Sequence, residues 1–418
     1  MRAFVEGYGC SMAGAETESA KGFLAENGFE LSSLEEADVI VINTCAVKQR
    51  TENHMLRRIK ELAKIAGKNR AKLVVFGCLT KVSAGRISEI SGGIIQAGPG
   101  IEELASAMGI EIAGSSLLSC RVPANLFISI VPIASGCTSS CSFCGTKLAR
   151  GKIKSRPVDE IVSRIEADLC KNSRAREFWL TGQDTGAYGI DIGSSLPELL
   201  RRVLSIEGDF RLRIGMMNPQ HLKRIFRGMV PLFNDPRLYR FLHVPVQSGS
   251  GRILKLMKRG YSPGEYLDLI SRLRSGVQGI TIATDIIVGF PGETDEDFNE
   301  TIGIIGATQP DVVNISRFGP RPGTEAAKMG GRVDGGKVKK RTRALTMLCR
   351  KISLERNSEV VGWEGMVFFS EKGRKGGILG RTQNYKQIVV NDAPLGSFAK
   401  AKVVAAKGTF LEGRLAGD

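Results

Sequence analysis

The 418-residue sequence has no apolar run approaching the ~20 residues that a membrane-spanning helix requires. That excludes a bundle of membrane helices. It opens on "MRAFVEGYGC", a strand-like run with no secretory leader ahead of it, and a cytoplasmic protein without membrane attachment is expected. Acidic residues are short: 43 against 59 lysines and arginines, a net charge of +16. Such a surplus points to a polyanionic partner. Histidine is scarce, with three residues, and none lies near the cysteine-rich segment described below. Disulfides are not expected either, because the cytoplasm keeps thiols reduced. The nine cysteines therefore read as metal or cluster ligands. The length exceeds one ordinary domain and predicts two or three.

What is present is periodic. "RAFVEGYGC", "ADVIVINTC" and "AKLVVFGC" each read as a strand ending at a cysteine, Cys10, Cys45 and Cys78, with amphipathic helical segments between them. The alternation predicts an α/β fold: a doubly wound parallel sheet over residues 1–110. The carboxyl ends of such strands line one crevice, so the three cysteines are expected to meet there as a three-thiolate site. A Gly- and Ser-rich linker is expected over 111–125. Six strand–helix units then predict a partial (βα)6 barrel over 126–355, with its chemistry at the strand carboxyl ends. Short alternating strands without a helix predict a small antiparallel β-barrel of four or five strands over 359–418. It carries Lys372, Arg374, Lys375, Arg381, Lys386, Lys400 and Lys402, with Tyr385 and Phe398 among them. That mix suits single-stranded RNA.

The segment "SGCTSSCSFCGTK" places Cys137, Cys141 and Cys144 at C-x3-C-x2-C spacing. Structural zinc prefers four closed ligands, and no fourth Cys or His is near; Cys120 is a weak candidate. A [4Fe–4S] cluster held by three thiolates leaves one iron open. S-adenosylmethionine (SAM) can chelate that iron and be cleaved to a 5′-deoxyadenosyl radical. The loop follows the first strand of the predicted barrel, and Phe143 precedes its third cysteine.

With these motifs the sequence resembles the radical SAM methylthiotransferases over nearly its whole length. The likeness is carried by "GYGCSMAGAETE", "VINTCAVKQRTEN", "FGCLTK", "GCTSSCSFCGTKLARGKIKSRP", "LTGQDTGAYG", "HVPVQSGSGRILKLMKRGYS", "TDIIVGFPGETDEDF" and "RPGTEAAKM". The terminal barrel resembles the TRAM domain. "LTGQDTGAYG" and the basic tail are most similar to the archaeal and eukaryotic branch, which acts on N6-threonylcarbamoyladenosine at position 37 of tRNA.

The resemblance implies two [4Fe–4S] clusters, an auxiliary one on Cys10, Cys45 and Cys78 and the radical one on Cys137, Cys141 and Cys144. It implies that one SAM methylates a sulfur at the auxiliary cluster while a second yields the radical that activates C2 of the base. Gly182, Gln183, Gln247 and Ser248, at the ends of the second and fourth barrel strands, and Asp285, within the fifth, are expected to contact cofactor or base. "GFPGE" is expected to be a tight turn. Lys147, Arg150, Lys152, Lys154 and Arg156 are expected to meet phosphates of the tRNA anticodon stem-loop. An electron donor of flavodoxin or ferredoxin type and a monomeric state are expected. The eukaryotic relatives carry a C-terminal membrane anchor, which "LEGRLAGD" is not. Cys120, Cys170, Cys349, His54 and His221 read as structural or surface residues, and His243 as closer to the site. The tail is expected to be dispensable for SAM cleavage. Two alternatives stay open: methylthiolation of a ribosomal-protein aspartate, and a zinc-bearing RNA-binding protein without catalysis.

Overall fold

The computed structural model describes residues 1–45, 49–112, 121–170 and 174–417. Cys120 lies outside the described residues, as does the side chain of Cys170. The chain forms two compact units. The first comprises Met1–Ala124, Ser135–Ile153 and Gly319–Lys328; the second comprises Asn125–Ala134, Lys154–Phe318 and Met329–Asp418.

The first unit is built on five parallel strands, Arg2–Gly7 (β1), Glu30–Leu31 (β2), Val39–Thr44 (β3), Lys72–Gly77 (β4) and Ile95–Ala97 (β5), in the order β2-β1-β3-β4-β5. Alternate side chains of β3 enter two different cores. Val39 and Val41 pack with Phe23, Leu24 and Leu104, and Ile40 and Ile42 pack with Met55, Ile59 and Leu62. Helices therefore cover both faces, which is why β3 reads as an unbroken apolar run. The two-residue edge strand β2 has no apolar run to announce it. In this strand order the direction reverses between β1 and β3, and ligands bind at the carboxyl ends beside such a reversal. Cys10 and Cys45 straddle it.

The second unit contains the six expected parallel strands: Ile128–Pro132, Glu177–Thr181 and Arg211–Ile214 in one sheet, and Phe241–His243, Thr281–Val288 and Val312–Arg317 in another. Backbone bonds from Tyr239 N to Leu212 O (2.9 Å) and Met217 N to His243 O (3.0 Å) join the third strand to the fourth. Helix starts are set locally. Ser262 with Glu265, and Thr294 with Asp297, form reciprocal capping boxes. In "GFPGE", Gly289 N donates to Glu293, whose carboxylate pairs with buried Arg341 at 2.7 Å, so the turn is held from inside.

Strands Glu364–Lys372, Ile378–Arg381, Gln387–Val390, Ser397–Ala406 and Leu411–Leu415 close the terminal barrel. Gln387–Val390 and Leu411–Leu415 run parallel, so the barrel is not wholly antiparallel.

Three expectations about this barrel are corrected. Arg381 is buried, 3.6 Å from Glu177 and 2.6 Å from Glu371. Lys386 is buried and bonded to Asp311 at 2.7 Å and Asn357 at 2.9 Å. Tyr385 sits with its ring 4.8 Å from Tyr239 and 4.7 Å from Phe241. These residues face the six-stranded sheet, because its Glu177 and Asp311 require buried cations. Removing the tail would therefore take Arg381 from Glu177 and Lys386 from Asp311, leaving Asp311 with Arg356 alone at 3.5 Å. Phe398 stacks on Phe368 beneath the Arg211 guanidinium. Lys372, Arg374 and Lys375 are exposed, as expected.

Candidate functional site

In the first unit the strand ends deliver the cysteines. Cys10 caps the helix Ser11–Glu26 and is exposed; Cys45 follows β3 and Cys78 follows β4, both buried. Two glycines make this approach possible. Gly9 (φ +139°) and Gly77 (φ +105°) occupy backbone regions L-residues avoid. A Cβ on Gly9 would sit 2.7 Å from Cys45 Cβ, and one on Gly77 would sit 2.5 Å from the Thr44 carbonyl. The chain segments that carry the cysteines therefore run close to one another beside these strand ends.

The loop bearing Cys137, Cys141 and Cys144 belongs to the same unit. Ser139 N lies 3.4 Å from Cys137 Sγ and Cys144 N donates to Cys141 O at 3.2 Å. The loop runs into the short helix Gly145–Arg150, which packs against the helix beginning at Cys78. Ala149 and Cys78 share one core. All six cysteines are free thiols.

Arg150 is the connecting residue, and its expected role is corrected. It is not a surface phosphate contact: its guanidinium is buried, bonded to both Glu16 oxygens at 2.7 and 2.9 Å and to Cys78 Sγ at 3.2 Å. Burial works against its charge, but Glu16 and Cys78 hold its pKa above the usual arginine value. Burial pushes the Cys78 thiol up to about 11 while Arg150 pulls it down; burial also raises Cys144. Ligand thiols must lose their protons on binding metal, and Arg150 favours the charged form of Cys78. A second buried pair mirrors the first: Arg321 bonds Glu52 at 2.7 Å, and its charge acts on Cys45. Lys147 Nζ donates to the Cys137 carbonyl, tying the loop to its own helix. Lys152 is exposed.

Among the described residues no group of three His, Cys, Asp or Glu side chains is placed to hold a single metal ion. A four-iron cluster offers each thiolate a different iron, so its ligands stand wider apart than those of one zinc. The donor set, three free thiols twice over with a cation on Cys78, fits that group.

In the second unit the predicted SAM contacts divide. Gly182 lies against the barrel backbone, where an added Cβ would be 3.2 Å from Ala134 O; Gln183 beside it is half-buried. Gln247 does not end the fourth strand, which stops at His243. It adopts φ +70° and bridges to the fifth strand, its N bonding Asp285 O at 2.8 Å. Ser248 is corrected: it is fully buried, its hydroxyl engaged with Thr301 and Ser250 N. Asp285 Oδ1 accepts from Asn314 (2.8 Å) and bonds His243 Nε2 (3.0 Å).

His221 is buried and bonded to Asp184 at 2.7 Å, and the same carboxylate accepts from Asn218 N. Glu16, Glu52, Arg321, Asp184 and Asn314 were not expected as site residues. Asp184 and Arg321 lie in the motifs "LTGQDTGAYG" and "RPGTEAAKM", but a motif does not say which side chain pairs with which. Cys349 is buried, which raises its thiol to about 11, in keeping with a structural role. His54 packs edge-on against Tyr8, with ring centroids 5.8 Å apart.

A family model described as the Radical SAM superfamily matches residues 131–305, one described as Uncharacterized protein family UPF0004 matches 2–95, and one described as the TRAM domain matches 361–416. A probable threonylcarbamoyladenosine tRNA methylthiotransferase of Archaeoglobus fulgidus is 40% identical, covering 100% of this chain and 99% of its own. A threonylcarbamoyladenosine tRNA methylthiotransferase of Drosophila melanogaster is 35% identical, covering 100% of this chain and 78% of its own. Among solved structures, the radical S-adenosylmethionine methyltransferase TsrM from Kitasatospora setae shares the fold, with a TM-score of 0.57 at 15% identity over 78% of this chain and 75% of that one. Radical SAM enzymes use SAM and a [4Fe–4S] cluster, and the matched segment contains the free thiols Cys137, Cys141 and Cys144. Full-length identity to these relatives, with both cysteine triads in place, shows that the chain belongs to the threonylcarbamoyladenosine tRNA methylthiotransferase family.

Proposed function

We propose that this chain transfers a methylthio group to C2 of N6-threonylcarbamoyladenosine at position 37 of tRNA, using SAM and two [4Fe–4S] clusters. The observation that carries the reading is the presence of two cysteine triads in one compact unit, linked by Arg150. Cys10, Cys45 and Cys78 would hold one cluster, and Cys137, Cys141 and Cys144 the other. When bound, these groups supply an open iron for SAM, the electron for its cleavage, and a site for sulfur.

The chain's own residues position and insulate. Arg150 and Arg321 place buried positive charge beside Cys78 and Cys45, offsetting the negative charge that thiolates bring into an apolar interior. Gly182, Gln183, Gln247 and Asp285 present polar groups near strand ends, where SAM is expected. Lys152, Lys372, Arg374 and Lys375 keep exposed cations for tRNA phosphates. No helix among the described residues is long and apolar enough to cross a membrane. A cytoplasmic monomer fed by a flavodoxin- or ferredoxin-type donor completes the proposal, in three segments at 1–110, 126–355 and 359–418.

Anaerobic reconstitution tests it. About eight irons per chain are expected, four per cluster. Replacing one triad with alanine should remove about half. With tRNA bearing N6-threonylcarbamoyladenosine, nucleoside mass spectrometry should show the 2-methylthio product. Four irons in the intact protein would sink the second cluster, and methylthiolation of a protein aspartate alone would sink the substrate.

A further inference from the structure

A cavity of about 560 Å³ lies against the six-stranded sheet, within the size range of small-molecule sites. Its lining includes Arg213, Phe241, His243, Asn314 and Tyr385. Side chains two apart on a strand share a face, and Arg213 pairs in register with Trp179, as Asp285 does with Asn314.

Arg213 is set apart by what it lacks. Its guanidinium lies 5.3 Å from the Trp179 ring, 5.4 Å from Phe241 and 5.5 Å from Tyr385. Its Nε is buried with no hydrogen-bond partner, and no described carboxylate or carbonyl accepts from the side chain. Arg381 makes the comparison direct. It stacks on the same Trp179 and Tyr385 rings, yet it is paired with Glu177 and Glu371. Aromatic faces stabilise a cation, but they leave its N–H fork unused. Arg213 is half-buried, and with no anion its terminal N–H groups are left for a ligand that enters the cavity. The planar fork matches a carboxylate bidentately.

We propose that Arg213 receives the carboxylate of the threonyl group, and that this cavity is the subsite that selects N6-threonylcarbamoyladenosine over adenosine. This rests on the substrate reading given above. Asn314 and His243, anchored on Asp285, present further polar atoms to the same cavity, as a group with a hydroxyl and carbamoyl N–H bonds requires. Unmodified adenosine brings no negative charge, so it leaves Arg213 unpaired. A site built for a charged partner rejects analogues lacking it strongly. The SAM carboxylate is the other source of the same chemistry, and the test separates them.

Binding of the full chain is measured to three anticodon stem-loop RNAs. They carry at position 37 N6-threonylcarbamoyladenosine, its threonyl methyl ester, or adenosine. The intact protein is expected to bind the first roughly tenfold to hundredfold more tightly than the other two, the range of a hydrogen bond to a charged group. Arg213→Gln should bring that ratio close to one while affinity for the adenosine RNA and for SAM stays unchanged; Arg213→Lys should retain part of the preference. An ester bound as tightly as the acid by the intact protein would overturn the proposal without any variant. So would an Arg213→Gln protein that keeps the full preference, or one whose main loss is in SAM affinity. An intact protein with no preference for the modified RNA would overturn the substrate reading itself, and the subsite with it.

Discussion

The cysteine-bearing unit and the terminal barrel are both rich in basic residues, and they use them differently. In the first unit, Arg150 and Arg321 are turned inward onto Glu16 and Glu52, each beside a cysteine. In the barrel, Arg381 and Lys386 are turned inward onto Glu177 and Asp311, while Lys372, Arg374 and Lys375 remain in solvent. A basic residue that neutralises a buried carboxylate adds nothing to the field a polyanion meets outside. The count of 59 lysines and arginines therefore overstates the cations available to RNA, whereas the net charge of +16 does not change because each buried pair cancels, and only part of the barrel's basic side chains are free for phosphate.

The largest expected effect separates the two triads inside the first unit. Alanine at Cys137, Cys141 or Cys144 should abolish formation of 5′-deoxyadenosine from SAM. Alanine at Cys10, Cys45 or Cys78 should leave cleavage running and abolish the methylthio product. Chromatography of both products checks this, and cleavage at the wild-type rate in a Cys141→Ala protein would break the assignment.

Next come the buried pairs. Arg150→Ala strands Glu16 in the interior and should destabilise the first unit by about 3–5 kcal/mol. Lys152→Ala, two residues away and exposed, should change stability by no more than about 0.5 kcal/mol. Urea midpoints of the first unfolding transition decide between them; equal midpoints would mean Arg150 is not internal.

In the barrel, Lys386→Ala should lower stability by about 3 kcal/mol by removing the shorter of the two cation contacts to buried Asp311, the other being Arg356 at 3.5 Å, with the salt dependence of tRNA binding unchanged. The triple change of Lys372, Arg374 and Lys375 to alanine should do the reverse. It should keep the unfolding midpoint and flatten the log–log salt slope by about 2–3, near one per lost phosphate contact. A flattened slope in Lys386→Ala would overturn the division of labour drawn here.

The smallest effect is a pH control outside both regions. Burial raises the Asp297 pKa, but bonds from Arg252, Ser250 and Thr294 outweigh it and hold the carboxyl down at about 2. A depressed folded pKa gives stabilisation that is complete above the unfolded value of about 3.9 and disappears as pH falls toward 2. The stability gap between the intact protein and Asp297→Asn should therefore be steady near neutral pH and shrink below about pH 4. A gap that widened on acidification would reverse the sign of this argument.

Much of the fold was legible because its signals are local. The apolar runs ending at Cys10, Cys45 and Cys78 marked three parallel strands, and the six strand–helix repeats marked the partial barrel. Strand β2 escaped notice because two residues carry no period. Ser248 was read as a contact because a serine after "VPVQ" looks the same in sequence whether its hydroxyl faces a ligand or Thr301.

By itself the sequence determined the cysteine triads, their spacing and strand-end positions, and the glycines that let the chain turn into them, since these depend on neighbours along the chain. Only the tertiary structure decided that Arg150 belongs to Cys78 and Glu16, that Lys386 is buried on Asp311, and that Arg213 has aromatic faces but no anion. Those outcomes depend on which distant carboxylate lies within reach, up to 134 residues away for Glu16 and Arg150. A charged side chain carries no mark of whether burial or water will meet it.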